Sequence, residues 1–201
     1  GRICNIKGAT NDDMVALNAD DGSMYEMSRG PITDTQIDGL YADNGYTAIR
    51  MLSAGHPISR VHVTGIFGSF RYYVTSFGNF ELHKGEPSEI SEVTIDGVYC
   101  SKPLEILDNP LSFDEAARHT FPFFWIESNT TVKSLHLTNI HRRELLENAP
   151  PTIYVSENSS VEHLSLTNVS IINEANTPLD FIVNKGDIRC LHISNIYENR
   201  K

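Results

Sequence analysis

One phrase recurs along this chain, and it restricts the fold more than any other feature. It reads ISRVHVTGI (58–66), ISEVTIDGV (90–98), VKSLHLTNI (132–140), VEHLSLTNV (161–169) and IRCLHISNI (188–196). ITDTQIDGL (32–40) is a degenerate copy, and GRICNIKGA (1–9) reads as the tail of another. Aligned on Ile6, Ile37, Val63, Ile95, Leu137, Leu166 and Ile193, the copies are spaced by 31, 26, 32, 42, 29 and 27 residues. Repeats of this length build solenoids and similar arrays. Each copy alternates apolar and polar residues, as a strand does. Two positions after the aligned residue stands Gly8, Gly39, Gly65, Gly97, Asn139, Asn168 or Asn195. Glycine and asparagine are the residues that best tolerate positive φ. A left-handed corner between two strands requires them, and a helical repeat would not.

A second short strand follows most copies, over 14–18, 47–52, 71–76, 123–127, 152–156 and 180–184. Two or three strands in each repeat of roughly 27 residues predict an all-β, right-handed parallel β-helix, with stacked strands about 4.8 Å apart and about seven rungs. Longer spacings predict loop insertions at about 19–31, 78–89 and 101–121 in a single domain spanning 1–201. In the last loop, Ser112 is placed to cap a short helix through Asp114, Glu115, Ala116 and Ala117. The chain starts inside a repeat without a capping segment, so the expectation is the C-terminal part of a longer helix.

The chain has 201 residues, is 40% hydrophobic and 21% charged, and carries a formal charge of −10. That is the composition of a globular domain, and the acidic balance argues against a nucleic-acid partner. No apolar run is long enough for a membrane span, so no membrane partner is expected. Cys4, Cys100 and Cys190 are widely separated, form no metal-binding spacing and read as small core residues. No metal and no cofactor are expected.

Aligning the second strands on Val15/Leu17, Ile49/Met51, Tyr72/Val74, Phe124/Ile126, Ile153/Val155 and Phe181/Val183 predicts two outward columns. One reads Ala16, Arg50, Tyr73, Trp125, Tyr154, Ile182. The other reads Asn18, Leu52, Thr75, Glu127, Ser156, Asn184. Aromatic rings, an arginine and acids on one extended face suit a sugar chain, because rings stack on pyranose faces while polar groups bind hydroxyls. The other reading is that the insertions cover these rings as a secondary core. Another column, His62, Thr94, His136, Ser165, His192, puts histidines nearly 10 Å apart. That is too far to share a metal ion, so it reads as a solvated face.

Asp12 and Asp13 precede a strand in TNDDMVAL. With Cys4-Asn5-Ile6 before it, the segment Asn11-Asp12-Asp13-Met14-Val15-Ala16-Leu17 resembles the pectin-lyase-like superfold. More closely, it resembles the polygalacturonase-type (family 28) glycoside hydrolases, whose pattern is Asn-Cys-x-Ile followed by Gly-Asp-Asp-Cys-Ile-Ala-Ile. The Asn-Asp-Asp form also resembles β-helix exo-glycosidases acting on galactosides. The resemblance implies a carbohydrate-active protein that inverts its substrate through two carboxylates, with Asp12 and Asp13 catalytic. The family's third acid would lie before residue 1. Its Gly-His-Gly is absent, with Tyr46-Thr47-Ala48 near that position, and its Arg-Ile-Lys clamp is unmatched, with Arg50 or Arg71 as substitutes.

The expected substrate-binding residues are therefore Arg50, Arg71, Tyr73, Trp125, Glu127 and Tyr154, and the expected partner is a glycan. The expected location is secreted, periplasmic or cell-surface, although no signal is visible. The alternative is a noncatalytic β-helix, a glycan-binding or adhesin- or tailspike-like module, in which Asp12 and Asp13 only start a strand. A third reading is a polysaccharide lyase, with Asp12, Asp13, Asp20 and Asp21 gathering calcium.

Overall fold

A computed structural model describes residues 1–19, 29–78, 86–104 and 121–200. The proposed helix after Ser112, Asp20, Asp21 and most of the three insertions lie outside these residues. The described residues are all β, with no helix.

Long strands make one sheet: β1 (Arg2–Lys7), β3 (Ile32–Gly45), β5 (Ile58–Phe70), β7 (Ser88–Ser101), β9 (Thr130–Glu144), β11 (Ser160–Asn173) and β13 (Asp187–Arg200). Short strands make the other: β2 (Asp13–Asn18), β4 (Thr47–Leu52), β6 (Thr75–Gly78), β8 (Phe124–Ile126), β10 (Ile153–Val155) and β12 (Ile182–Asn184). The chain alternates between the sheets, and neighbours in each sheet follow chain order. Every strand pair is parallel. This arrangement is compatible with a parallel β-helix.

The repeat fixes the register of the long sheet. Ile37, Val63, Ile95, Leu137, Leu166 and Ile193 pair in succession. Ile6 departs from the expectation: it pairs with Leu40, and Ile3 pairs with Ile37. The corner residue of β1 is therefore Asn5, not Gly8. Asn5, Gly39, Gly65, Gly97, Asn139, Asn168 and Asn195 have φ between 54° and 77°, the left-handed corner the sequence required. The asparagines also bond to one another. Asn195 Nδ2 donates to Asn168 Oδ1 at 3.0 Å, Asn168 to Asn139 at 3.1 Å, and Asn139 to Asp96 Oδ1 at 2.7 Å.

The core lies between the sheets. Ile37, Val63 and Ile95 from one sheet, with Ile49, Phe77, Phe124 and Ile153 from the other, are 0% exposed. Each such side chain contributes about 1.5–3 kcal/mol on burial. The last strand differs: Leu191 and Ile193 are 46% and 45% exposed, while their partners Leu164 and Leu166 are 1% exposed. Of the cysteines only Cys100 is buried. Cys4 and Cys190 are exposed, because each lies on an outermost strand of the long sheet.

Charged groups also enter the interior where long strands end. Arg142 and Glu144 are buried as an ion pair, with Arg142 Nε 3.1 Å from Glu144 Oε2. Arg142 also donates to Thr152 Oγ1 and the Pro150 carbonyl, both at 2.7 Å. Lys102, buried, donates to the Tyr72 carbonyl. Burial holds Lys102 well below the usual lysine range, and the neighbouring Arg142 pushes the same way.

Candidate acid-pair site on the short-strand sheet

Asp13 begins β2, and Arg50 lies on the adjacent strand β4. Arg50 Nε stands 2.8 Å from Asp13 Oδ2, with the Asp13 side chain 3% exposed and that of Arg50 22%. The Asp13 amide donates to Asp12 Oδ1 at 2.9 Å, which fixes the Asp12 carboxylate at the start of the strand. Asp12 itself is exposed. Two adjacent acids therefore occupy unlike environments. Burial pushes Asp13 up to about 6. Arg50 opposes that rise, Asp12 adds to it, and a hydrogen bond from Thr47 opposes it.

A raised carboxyl destabilises the fold when ionised. The folded state keeps the Asp13 proton up to about pH 6, whereas an unfolded aspartate releases it near 3.8. Stability contributed by this group is thus present at low pH and lost as pH rises from about 4 to 6, by on the order of 2 kcal/mol. Urea unfolding at pH 4.5 and pH 7 should show wild type losing stability between the two relative to Asp13→Asn. An identical pH response in both proteins would remove this account of Asp13.

Beside the acids lies an aromatic cluster. Tyr46 and Tyr72 ring centroids are 4.1 Å apart, and Tyr72 stacks on Phe121 at 4.8 Å. Tyr73 meets Phe121 at 5.0 Å and Trp125 at 5.2 Å. Tyr73 is 5% exposed. Burial raises the Tyr73 hydroxyl above the usual tyrosine range, with the negative charge of Glu127 next. Burial likewise raises Tyr46, and Tyr72, Asp13 and Asp12 add to the effect. Both acids therefore act electrostatically on this cluster.

The remaining expected residues divide. Trp125, half-buried on β8, donates Nε1–H to Ser156 Oγ at 2.8 Å. Tyr154, half-buried on β10, pairs with Trp125. Glu127 is 4% exposed and packs so closely on Gly78 that a Cβ there would come within 2.5 Å of it. Arg71 is 1% exposed and turned onto backbone carbonyls.

The outward column is Ala16, Arg50, Ser76, Trp125, Tyr154, Val183. The expected places of Tyr73 and Ile182 in it are corrected. Strand β6 is Thr75–Gly78: Thr75 pairs with Ile49 and Phe124 and Phe77 with Met51 and Ile126 in the inward rows, while Ser76, between them, takes the outward row although it too is 0% exposed. Tyr72 and Tyr73 precede the strand and align with Tyr46 and Thr47. Tyr73 nevertheless reaches Trp125 with its ring. Tyr46 and Phe121 are site neighbours outside both expected columns, while Ser156, a member of the second column, enters the site as the acceptor of Trp125. Phe121 had no detectable signal, because it lies outside any strand.

The histidine column His62, Thr94, His136, Ser165, His192 has the expected register, and its three histidines are exposed. Among the described residues no three His, Cys, Asp or Glu side chains gather into a possible metal site. No helix among them is long and apolar enough to cross a membrane. No protein-family model, curated protein or solved structure matches the chain.

Proposed function

We propose that the chain winds as a right-handed parallel β-helix of about seven rungs, belongs to an exported or cell-surface protein, and hydrolyses glycans with the Asp12–Asp13 pair. One observation carries this reading: adjacent carboxyls, one buried against Arg50 with its pKa pushed up to about 6, the other exposed. Two acids with unlike environments suit an acid and a base. Asp13 holds its proton into mildly acidic solution and supplies it to the glycosidic oxygen. Asp12, in water, accepts a proton from the attacking water. Arg50 holds the Asp13 carboxyl in place, while Trp125 and Tyr154, both half-buried, offer ring surface to the sugar.

A second reading has its own support. The 3% exposure of Asp13 and its pairing with Arg50 also suit a strand-start lock in a glycan-binding module that cleaves nothing. One experiment separates the two. Reducing-end release from a broad glycan panel is followed together with the fluorescence of Trp125, the single tryptophan. Asp12→Asn and Asp13→Asn are each expected to cut release by about 100-fold or more, with the fluorescence response retained. Unchanged release in both variants would end the hydrolase reading. A fluorescence response without product from wild type would favour binding alone.

A further inference from the structure

Arg71 is the most deeply buried cation in contact with the segment that carries the acids. Its Nη1 lies 2.6 Å from the Asn44 carbonyl and 3.4 Å from Asn44 Oδ1. Its Nη2 lies 3.0 Å from the Thr10 carbonyl and 3.4 Å from Asn11 Oδ1. Thr10 and Asn11 immediately precede Asp12, and Asn44 precedes Gly45 and Tyr46. The backbone continues the same seam: Tyr46 N–H donates to the Thr10 carbonyl at 3.1 Å, Arg71 N–H to Gly45 at 2.8 Å, and Tyr72 N–H to Tyr46 at 3.0 Å. One guanidinium thus joins three successive crossings into the short-strand sheet. A planar fork with five N–H donors can do this, and the single ammonium of a lysine cannot.

We infer that Arg71 is not a sugar contact but the positioning residue of the acid pair, a role that rests on the hydrolase reading only for its catalytic consequence. Its guanidinium is turned onto the Asn44 and Thr10 carbonyls, so its donors face the chain and not a ligand. Its partners are the residues that set the height and direction at which Asp12 and Asp13 meet β4. Without the clamp, the segment before β2 would loosen and admit more water to Asp13 than its present 3% side-chain exposure allows.

Carboxyl titration of Asp13, followed by carbon-13 NMR, tests this without requiring any activity. Asp12, Arg50, Tyr46 and Tyr73 are the charged or titratable described neighbours that act on or are acted on by Asp13. The sign separates positioning from simple loss of charge. Removing a nearby cation would move the Asp13 midpoint upward, whereas admitting water moves it down toward the ordinary carboxylate range. Arg71→Met is expected to lower the midpoint by about half a pH unit or more. Arg71→Lys keeps the charge and is expected to lower it by a smaller amount. If the methionine variant does not fold, the lysine variant decides alone. An unchanged or raised midpoint in a folded variant overturns the proposal. A lowered midpoint in a protein that cleaves no glycan supports the clamp and separates it from the failure of the hydrolase reading.

Discussion

Gly68→Ala is expected to cost about 4 kcal/mol or more, or to abolish folding, because two penalties coincide. Gly68 has φ of +110°, a conformation L side chains rarely adopt. A Cβ there would lie 1.7 Å from the Ala42 carbonyl oxygen and 2.8 Å from its carbon. The obstacle is the backbone of β3, not the far end of a side chain, so no rotamer change relieves it. Gly68 pairs with Ala42 on one side and Cys100 on the other. Beside Ala42 the β3 register shifts, between Ala42 and Gly45, and that irregularity brings the two backbones together. Gly8→Ala is the control, since no heavy atom lies within 4 Å of its added Cβ. Urea unfolding should show Gly8→Ala within about 0.5 kcal/mol of wild type. Equal midpoints for the two variants would refute the close approach at Gly68.

Glu144→Leu should be nearly as damaging, by about 3–5 kcal/mol, because it leaves Arg142 as an uncompensated charge in the interior. Glu144 is 0% exposed. Its Oε2 accepts from Arg142, and its Oε1 accepts the amides of Leu145 at 3.0 Å and Leu146 at 2.7 Å. Arg142 lies over the Phe123 ring at 4.4 Å, and Lys102 lies 5.6 Å from the same ring. Removing the one carboxylate leaves two basic groups facing an apolar wall. The double variant Arg142→Met, Glu144→Leu should recover part of the loss, since an apolar pair avoids the desolvation of a lone ion. A midpoint for Glu144→Leu within about 1 kcal/mol of wild type would show that the pair does not act this way.

The long sheet was legible because its signal is redundant. Ile37 through Ile193 carry alternation and a corner residue in the same frame, and all six align as the sequence indicates. The first copy misleads because Ile3-Asn5 and Ile6-Gly8 both satisfy the pattern, three residues apart; the pairing of Ile3 with Ile37 selects the former. The short sheet is harder to read, as three or four residues hold little periodicity. At β6 the inward position falls to Thr75, a polar residue that pattern reading assigns outward, and the register moved with it.

The adjacency of Asp13 and Arg50 was accessible, because both lie in strands long enough to align. The clamp made by Arg71, and the interior ions Lys102, Arg142 and Glu144, were not. Charge in a sequence reads as solvated surface, and only the surrounding carbonyls and counter-ion reverse that. The cluster of Tyr46, Tyr72 and Phe121 is also a tertiary fact: its members come from three separate crossings, each from a segment that precedes a strand.

The amide column of Asn195, Asn168 and Asn139 has a polarity, since every member donates in one sense and the queue terminates on the carboxylate of Asp96. Aligned dipoles strengthen one another when they end on an anion. The flank of the molecule therefore carries a directional electrostatic wire, in which Asp96 sets the orientation of three amides it does not all touch. Reversing any one of the three amides would leave two like groups face to face, so each fixes the orientation of its neighbours.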